Sequence, residues 1–209
     1  HGREEGKTVK VGFIYVGDTS TGYTNNFVNA QNAVEKAYED RVETISKFNV
    51  PEEEVEGSLQ EMIDAGCNLI FTTSYGYGKI AKEYAAKYPD IQFFHATGYQ
   101  AASSGLPNMH NYFTKIYEAR YVSGVVAGMK LNEMISDGTI TEDKAKIGYV
   151  GAYPYAEVVS GYTSFYLGAK SVCPSATMEV QYTNSWADMS GEAEVATQLI
   201  SDGCVLISQ

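Results

Sequence analysis

No run in this chain of 209 residues approaches the ~20 consecutive apolar residues that a membrane-spanning helix requires. Positive charge is scarce as well: 15 Lys and Arg stand against 26 Asp and Glu, a net charge of −11. A groove that neutralises phosphates needs clustered Lys and Arg, so the balance argues against nucleic acid as a partner and against docking on anionic lipid. The three cysteines, Cys67, Cys173 and Cys204, lack metal-ligand spacing and cannot all pair. Cys67 and Cys204 each follow a glycine and precede an apolar run, the setting of a buried structural thiol. No metal or cofactor is expected. The stretch "GDTSTGY" has Gly17 and Gly22 but no Gly-x-Gly-x-x-Gly and no P-loop Lys-Ser or Lys-Thr, so a nucleotide phosphate is not expected there. A Gly-x-Ser-x-Gly elbow is missing too, which leaves His95 and His110 without a nucleophile to serve. His95 at a strand end reads as a hydrogen-bonded cleft residue rather than a general base. The polar start "HGREEGK" has neither an initiator Met nor an apolar leader core, so any targeting segment is expected to have been removed.

What is present is a repeat. "KVGFIYVGDTSTGY" near the start is answered by "KIGYVGAYPYAEVVSGY" from Lys146 onward. In the first copy "VGFIYVG" reads as a buried strand and "NNFVNAQNAVEKAYED" as a helix with Phe27, Ala30, Ala33, Val34 and Ala37 on its apolar face. "VETISKFNV" alternates like a strand. "PEEEVEGSLQEMIDAGC" follows as a helix, with Pro51 and three acids in its first turn, and stops at Gly66. "NLIFTTS" is the third strand. The second copy repeats the order: strand "IGYVGAY", helix "YAEVVSGYTSFYLGAKSV", strand "MEVQYTNS", helix "GEAEVATQLISDGC", strand "VLIS". The offset between Gly12 and Gly148 is nearly the same as that between Cys67 and Cys204, so five elements recur in register.

Strands alternating with helices of these lengths imply βαβ units on parallel sheets. The expected architecture is α/β with two doubly wound lobes, residues 1–136 and 137–209. The first lobe continues through a helix at 79–87, a strand "IQFFHATG", "NYFTKI" and a long helix at 117–135. Gly124 and Gly128 on that helix suit a close helix contact, and Glu118 and Arg120 suit an ion pair. The second copy stops after "VLISQ", so the chain is expected to be a fragment lacking the rest of lobe two.

Ligands of open parallel sheets bind beyond the carboxyl ends of the strands, and two lobes can close such ends over a small molecule. The loops so placed are 17–24, 73–78 and 95–99 in lobe one, and 152–157 and 184–188 in lobe two. They carry Tyr23, Tyr75, Tyr77, Tyr99, Tyr153, Tyr155 and the sole tryptophan, Trp186. Ring faces suit stacking on planar, uncharged ligands. Asp18 and Asp188 can accept from ring N–H groups, and Thr73 and Ser74 can donate or accept.

The stretches "KVGFIYVG", "FTTSYGY", "AKEYAAKYPDIQFFHATGY", "NYFTKIYEARYVSGVVAG", "KIGYVGAYPYAEVVSGYTSFYLGAKSVCPSATMEV" and "NSWAD" together resemble the basic membrane protein family, collinearly over essentially the whole chain. These are substrate-binding lipoproteins of ABC transporters, of the purine nucleoside receptor type. The resemblance implies a periplasmic-binding-protein-like type I fold and a purine held between two aromatic rings, with a membrane permease as partner. It implies an extracytoplasmic setting, as a lipoprotein or in the periplasm. On the matching positions the two rings are Tyr23 and Trp186. The proposed ligand-binding set is Asp18, Tyr23, Thr24, Ser74, Tyr75, Tyr155, Trp186 and Asp188. Nucleoside-binding members place an Asp after the third strand of lobe one to hold the ribose. Here Ser74-Tyr75-Gly76 stands instead, which tilts the expectation toward a free base such as adenine. Two other readings use the same residues: a ligand-sensing regulatory module of this fold, and a nucleoside-processing enzyme with Asp18 or Asp188 as acid or base.

Overall fold

Period-two burial builds the first sheet. The computed structural model of the chain describes residues 7–209. In strand β1 (Val9–Ile14) Val11 and Phe13, followed by Tyr15, turn to one face, where Phe27 and Val28 of helix α1 (Gly22–Ala37) pack on them. Ile14 turns to the opposite face, among Val55, Leu59 and Met62 of α2 (Val55–Asp64) and Ala81 and Tyr84 of α3 (Gly78–Lys87). A sheet covered on both faces needs near-continuous apolar strands, and "VGFIYVG" is one. With β2 (Val42–Lys47), β3 (Leu69–Thr72), β4 (Gln92–Ala96) and β5 (Met109–Tyr112) the sheet is parallel throughout, in the order β2-β1-β3-β4-β5. The order reverses at β1 and β3, so their carboxyl ends flank the crevice in which such sheets bind ligands. A short helix α4 (Gln100–Ser104) lies between β4 and β5.

The chain divides into two compact units, His1–Phe113 and Thr114–Gln209. The second consists of α5 (Ile116–Ser136), β6 (Lys146–Gly151), α6 (Ala156–Val172), β7 (Thr177–Tyr182), α7 (Met189–Ser201) and β8 (Leu206–Ser208). Its sheet is parallel in the order β7-β6-β8. Ile147 and Tyr149 face α5 and α6, while Val150 faces Leu199 of α7.

Two differences from the sequence reading have physical causes. The long helix expected at 117–135 forms as α5 and falls within the compact unit Thr114–Gln209 rather than the first. Gly124 and Gly128 bring α5 against α6 so closely that a Cβ on Gly124 would meet the Phe165 carbonyl, and one on Gly128 the Ala169 carbonyl. Gly168 does the same toward the Tyr121 carbonyl from the other side. The expected Glu118–Arg120 ion pair is absent among the described residues. Positions two apart on a helix face away from each other, and Arg120 Nη1 donates instead to the Gln209 carbonyl at 2.7 Å.

Candidate functional site

In the first unit the strand-end loops are tied to one another by polar contacts. Asp18, past the end of β1, accepts from Ser20 N at 2.9 Å and from Asn49 Nδ2 at 3.2 Å. The Ser20 bonds, then the Asn49 bond, hold its carboxyl below the usual carboxylate range. Thr24 is buried, with its Oγ1 lying over Gly17. Asp18 and Thr24 thus shape the loop that carries Tyr23. Tyr23 itself is 39% exposed. Its hydroxyl donates to the Thr73 carbonyl at 2.5 Å and its ring stands edge-on to Phe27, 5.0 Å between centroids.

Ser74, directly after Thr73, is buried and donates to Glu52 Oε1 at 2.5 Å. The same oxygen accepts from Gly76 N at 2.8 Å. Glu52 lies in a 3-10 turn (Glu52–Glu54) that opens the helix expected from Pro51, and its carboxylate reaches across to the loop after β3. Tyr75 opens a second 3-10 turn (Tyr75–Tyr77), which Tyr77 anchors by donating to the Val50 carbonyl at 2.5 Å. Nothing in the local sequence pattern marks Glu52, since its partners are more than twenty residues away. The signal was the run of three acids after Pro51, which reads first as helix-dipole chemistry.

His95, the strand-end histidine, is fully buried. Nδ1 shares a 2.8 Å hydrogen bond with Thr72 Oγ1, and Nε2 has no hydrogen-bond partner among the described residues. Burial pushes its pKa down to about 4, against the opposing pull of the Tyr75 and Thr72 backbones. A histidine held neutral in this way is part of the scaffold of β4; the hydrogen bond matches the sequence reading, but complete burial puts the ring in the interior and not in a cleft. The exit from β4 turns through Thr97 and Gly98, both at positive φ. Asn111 on β5 fastens it by donating to the Thr97 carbonyl at 2.7 Å. Tyr99 beyond is 65% exposed.

The second unit builds its strand ends from rings. Tyr153 and Tyr155, after β6, stack with centroids 5.0 Å apart and planes 15° from parallel. Trp186, after β7, leans on both, 5.0 Å from Tyr153 and 6.1 Å from Tyr155. The indole Nε1 is buried and has no partner among the described residues. Asp188 caps α7 by accepting from Gly191 N at 3.0 Å. Glu157, in the first turn of α6, has its carboxyl pushed up by burial. The structure thus brings together Asp18, Tyr23, Thr24 and Ser74 with Tyr75 in one loop cluster, and Tyr155, Trp186 and Asp188 in another. Both aspartates proposed as acid or base are engaged, one in a loop turn and one in a helix cap. Among the described residues no group of His, Cys, Asp or Glu is arranged to hold a metal, and no helix is long and apolar enough to cross a membrane.

The fold matches known solute-binding proteins. A solved solute-binding protein of an Aeropyrum pernix ABC transporter superposes with a TM-score of 0.78 at 13% identity, over 95% of this chain and 54% of that one. A Brucella abortus protein named as purine-binding is 40% identical over 96% of this chain and 54% of its own length. A Haloferax volcanii protein whose name assigns it glucose is 35% identical over all of this chain and 49% of its own. The chain thus spans about half the length of the curated relatives it matches. The family of substrate-binding proteins described as "ABC transporter substrate-binding protein PnrA-like" matches residues 8–209. The chain belongs to this family of binding proteins, whose members are not enzymes.

Proposed function

We propose that the protein captures a purine-type solute outside the cytoplasm and delivers it to the membrane permease of an ABC importer. The observation that carries this reading is Trp186. Its indole leans on Tyr153 and Tyr155 at the carboxyl end of β7, and its buried Nε1 donor has no acceptor among the described residues. A heteroaromatic ring with acceptor nitrogens meets both needs, offering a face to the rings and a lone pair to the N–H. Within the first unit, Tyr23, whose hydroxyl donates to the Thr73 carbonyl, presents a partly exposed ring of the same kind. Family membership and the purine-named relative support the same choice. Lipid anchoring of the protein belongs to this proposal and not to the described residues.

Trp186 is the sole tryptophan, so its fluorescence reports the site directly. Titration of the full chain with adenine, hypoxanthine, adenosine and inosine is expected to quench it saturably for at least one of them. Trp186→Ala is expected to weaken that ligand about ten- to hundredfold, the worth of one stacking contact. A protein whose fluorescence and melting temperature ignore all four purines refutes the ligand assignment and leaves the fold untouched.

A further inference from the structure

The loop 152–157 ends in an acid that the ring cluster of the second unit leaves unexplained. Glu157 stands in the first turn of α6, two positions after the N-cap Tyr155. Steps of four, four and three residues from it reach Gly161, Phe165 and Gly168, all buried. Residues so spaced share one helix face, so Glu157 continues the stripe that packs on α5. It does so at the end beyond β6, the ligand side of an open parallel sheet. The residue is half-buried, and among the described residues its carboxylate receives no hydrogen bond and meets no cation. Ser160 Oγ donates to its main-chain carbonyl instead, at 2.8 Å. Arg120 packs one turn below, where a Cβ on Gly161 would meet its Cγ at 3.7 Å, but its guanidinium is drawn to the Gln209 carbonyl. Burial accordingly pushes the Glu157 carboxyl up, with no partner to offset it.

We propose that Glu157 determines specificity by accepting an N–H from the edge of the ligand's base, beside the base acceptor that takes the Trp186 N–H. Trp186 Nε1 is the second unsatisfied group of this unit, buried against Tyr153 and Tyr155 without an acceptor among the described residues. A spare donor and a spare acceptor at neighbouring strand ends complement a flat ring whose edge carries the reverse pair. The amidine of adenine or cytosine is such an edge, and so is the lactam of hypoxanthine or guanine. A base with lone pairs alone along its edge, such as unsubstituted purine joined to a sugar, sets them against the carboxylate. The bond to an ionised acceptor is the stronger kind, which makes it a discriminating one. This inference rests on the purine reading above and adds to it the hydrogen-bonding edge that the base must present.

The test is calorimetric titration of the full chain, as wild type, Glu157→Leu and Glu157→Gln, with adenosine, inosine and purine riboside, and with cytidine as a purine-free probe. The three purine probes share one sugar, so their differences report the base edge. Leucine removes a half-buried charge that has no partner, and a melting temperature no lower than that of wild type verifies the fold. Wild type is expected to prefer adenosine and inosine over purine riboside by about ten- to hundredfold, as for hydrogen bonds to a charged group. In Glu157→Leu that preference is expected to shrink to about threefold or less, with purine riboside affinity unchanged. Glutamine still offers an amide oxygen, so Glu157→Gln is expected to keep part of the preference. A preference that persists in Glu157→Leu overturns the proposal, as does an equal loss for all three probes, which marks Glu157 as a brace of the helix start. Equal binding of the three probes to wild type overturns it too and leaves the purine reading standing. If cytidine binds through Glu157 while no purine does, the edge reading stands and the purine reading falls. If none of the probes binds, both fall.

Discussion

The two units share a skeleton and differ at their strand ends. Gly12 in β1 and Gly148 in β6 occupy equivalent places. A Cβ on Gly12 would meet Met62 Sδ and Cys67 Sγ, and one on Gly148 would meet Leu199 and Cys204 Sγ. In both units a glycine in the central strand lets the crossover helix and the following cysteine lie close, and all three cysteines are free and buried. Lys10 and Lys146 open those strands, and each pairs with a carboxylate of the neighbouring strand, Glu43 at 3.6 Å and Glu179 at 2.6 Å. Beyond the strands the likeness stops. The first unit ties its loops with Asp18, Asn49, Glu52, Ser74 and the Tyr23 and Tyr77 hydroxyls; the second stacks Tyr153 on Tyr155 and tilts Trp186 against both. Packing constraints on a sheet are set by geometry common to both copies, whereas strand-end loops carry few of those constraints and are free to differ.

The sharpest break of this comparison lies in the second unit, where α5 and α6 meet through backbone. Gly124→Ala is expected to cost about 3 kcal/mol or more in chemical denaturation, since the Phe165 carbonyl cannot rotate away from the new Cβ. Gly161→Ala on the same helix pair meets nothing closer than Arg120 Cγ at 3.7 Å. It is expected to be neutral or stabilising by up to about 1 kcal/mol. Equal losses from both substitutions would remove the argument for close helix contact.

Acid is expected to separate the units next. Both described histidines, His95 and His110, lie in the first unit, and His95 has its pKa lowered from 6.5 to about 4 by burial. A lowered histidine favours the folded state fully above the unfolded value. Below it the unfolded chain takes up the proton first, so stability falls as pH drops from 6.5 toward 4, by about 1.4 kcal/mol per pH unit for one proton. His95→Gln is expected to flatten that slope. Glu157 in the second unit acts with the opposite sign: its raised carboxyl pKa favours folding at low pH, and that contribution fades as pH rises through the folded value. A pH profile unchanged by His95→Gln would show that another group carries the acid sensitivity.

The loop contacts rank after these. Tyr77→Phe removes the hydrogen bond to the Val50 carbonyl in a buried setting and is expected to lower stability by about 1–2 kcal/mol by denaturation. Asp188→Ala removes the α7 cap and is expected to cost about 1 kcal/mol, with Asp188→Asn close to wild type. If Asp188→Asn weakened purine binding while leaving stability intact, the residue would be a ligand contact as well as a cap.

The placement of the candidate rings was legible before any geometry. Tyr23 and Trp186 were found because strand-helix alternation puts their loops at carboxyl ends, and the structure does put them there. Asp18 and Asp188 were found for their type, and the structure shows each already bonded within its own loop or helix start. Asp and Asn at such places bond to backbone two or three residues on, a local effect that pattern reading undervalues beside a possible ligand. Glu52 went unnoticed for the reverse reason, since its value depends on partners brought near only by the pairing of β1 with both β2 and β3.

The amino-acid sequence by itself determined the elements, their parallel pairing and the doubling of one βαβ plan, because burial periodicity and the Gly–Cys spacing are local and repeat. It determined too that flat rings crowd the strand ends. Tertiary structure decided which unit claims the long helix, since only the approach of α5 to α6 reveals what Gly124, Gly128 and Gly168 are for. It also decided that an acid stands beside Ser74. A carboxylate acts over a few ångströms of space, and the chain crosses that gap through a turn, a helix and a strand.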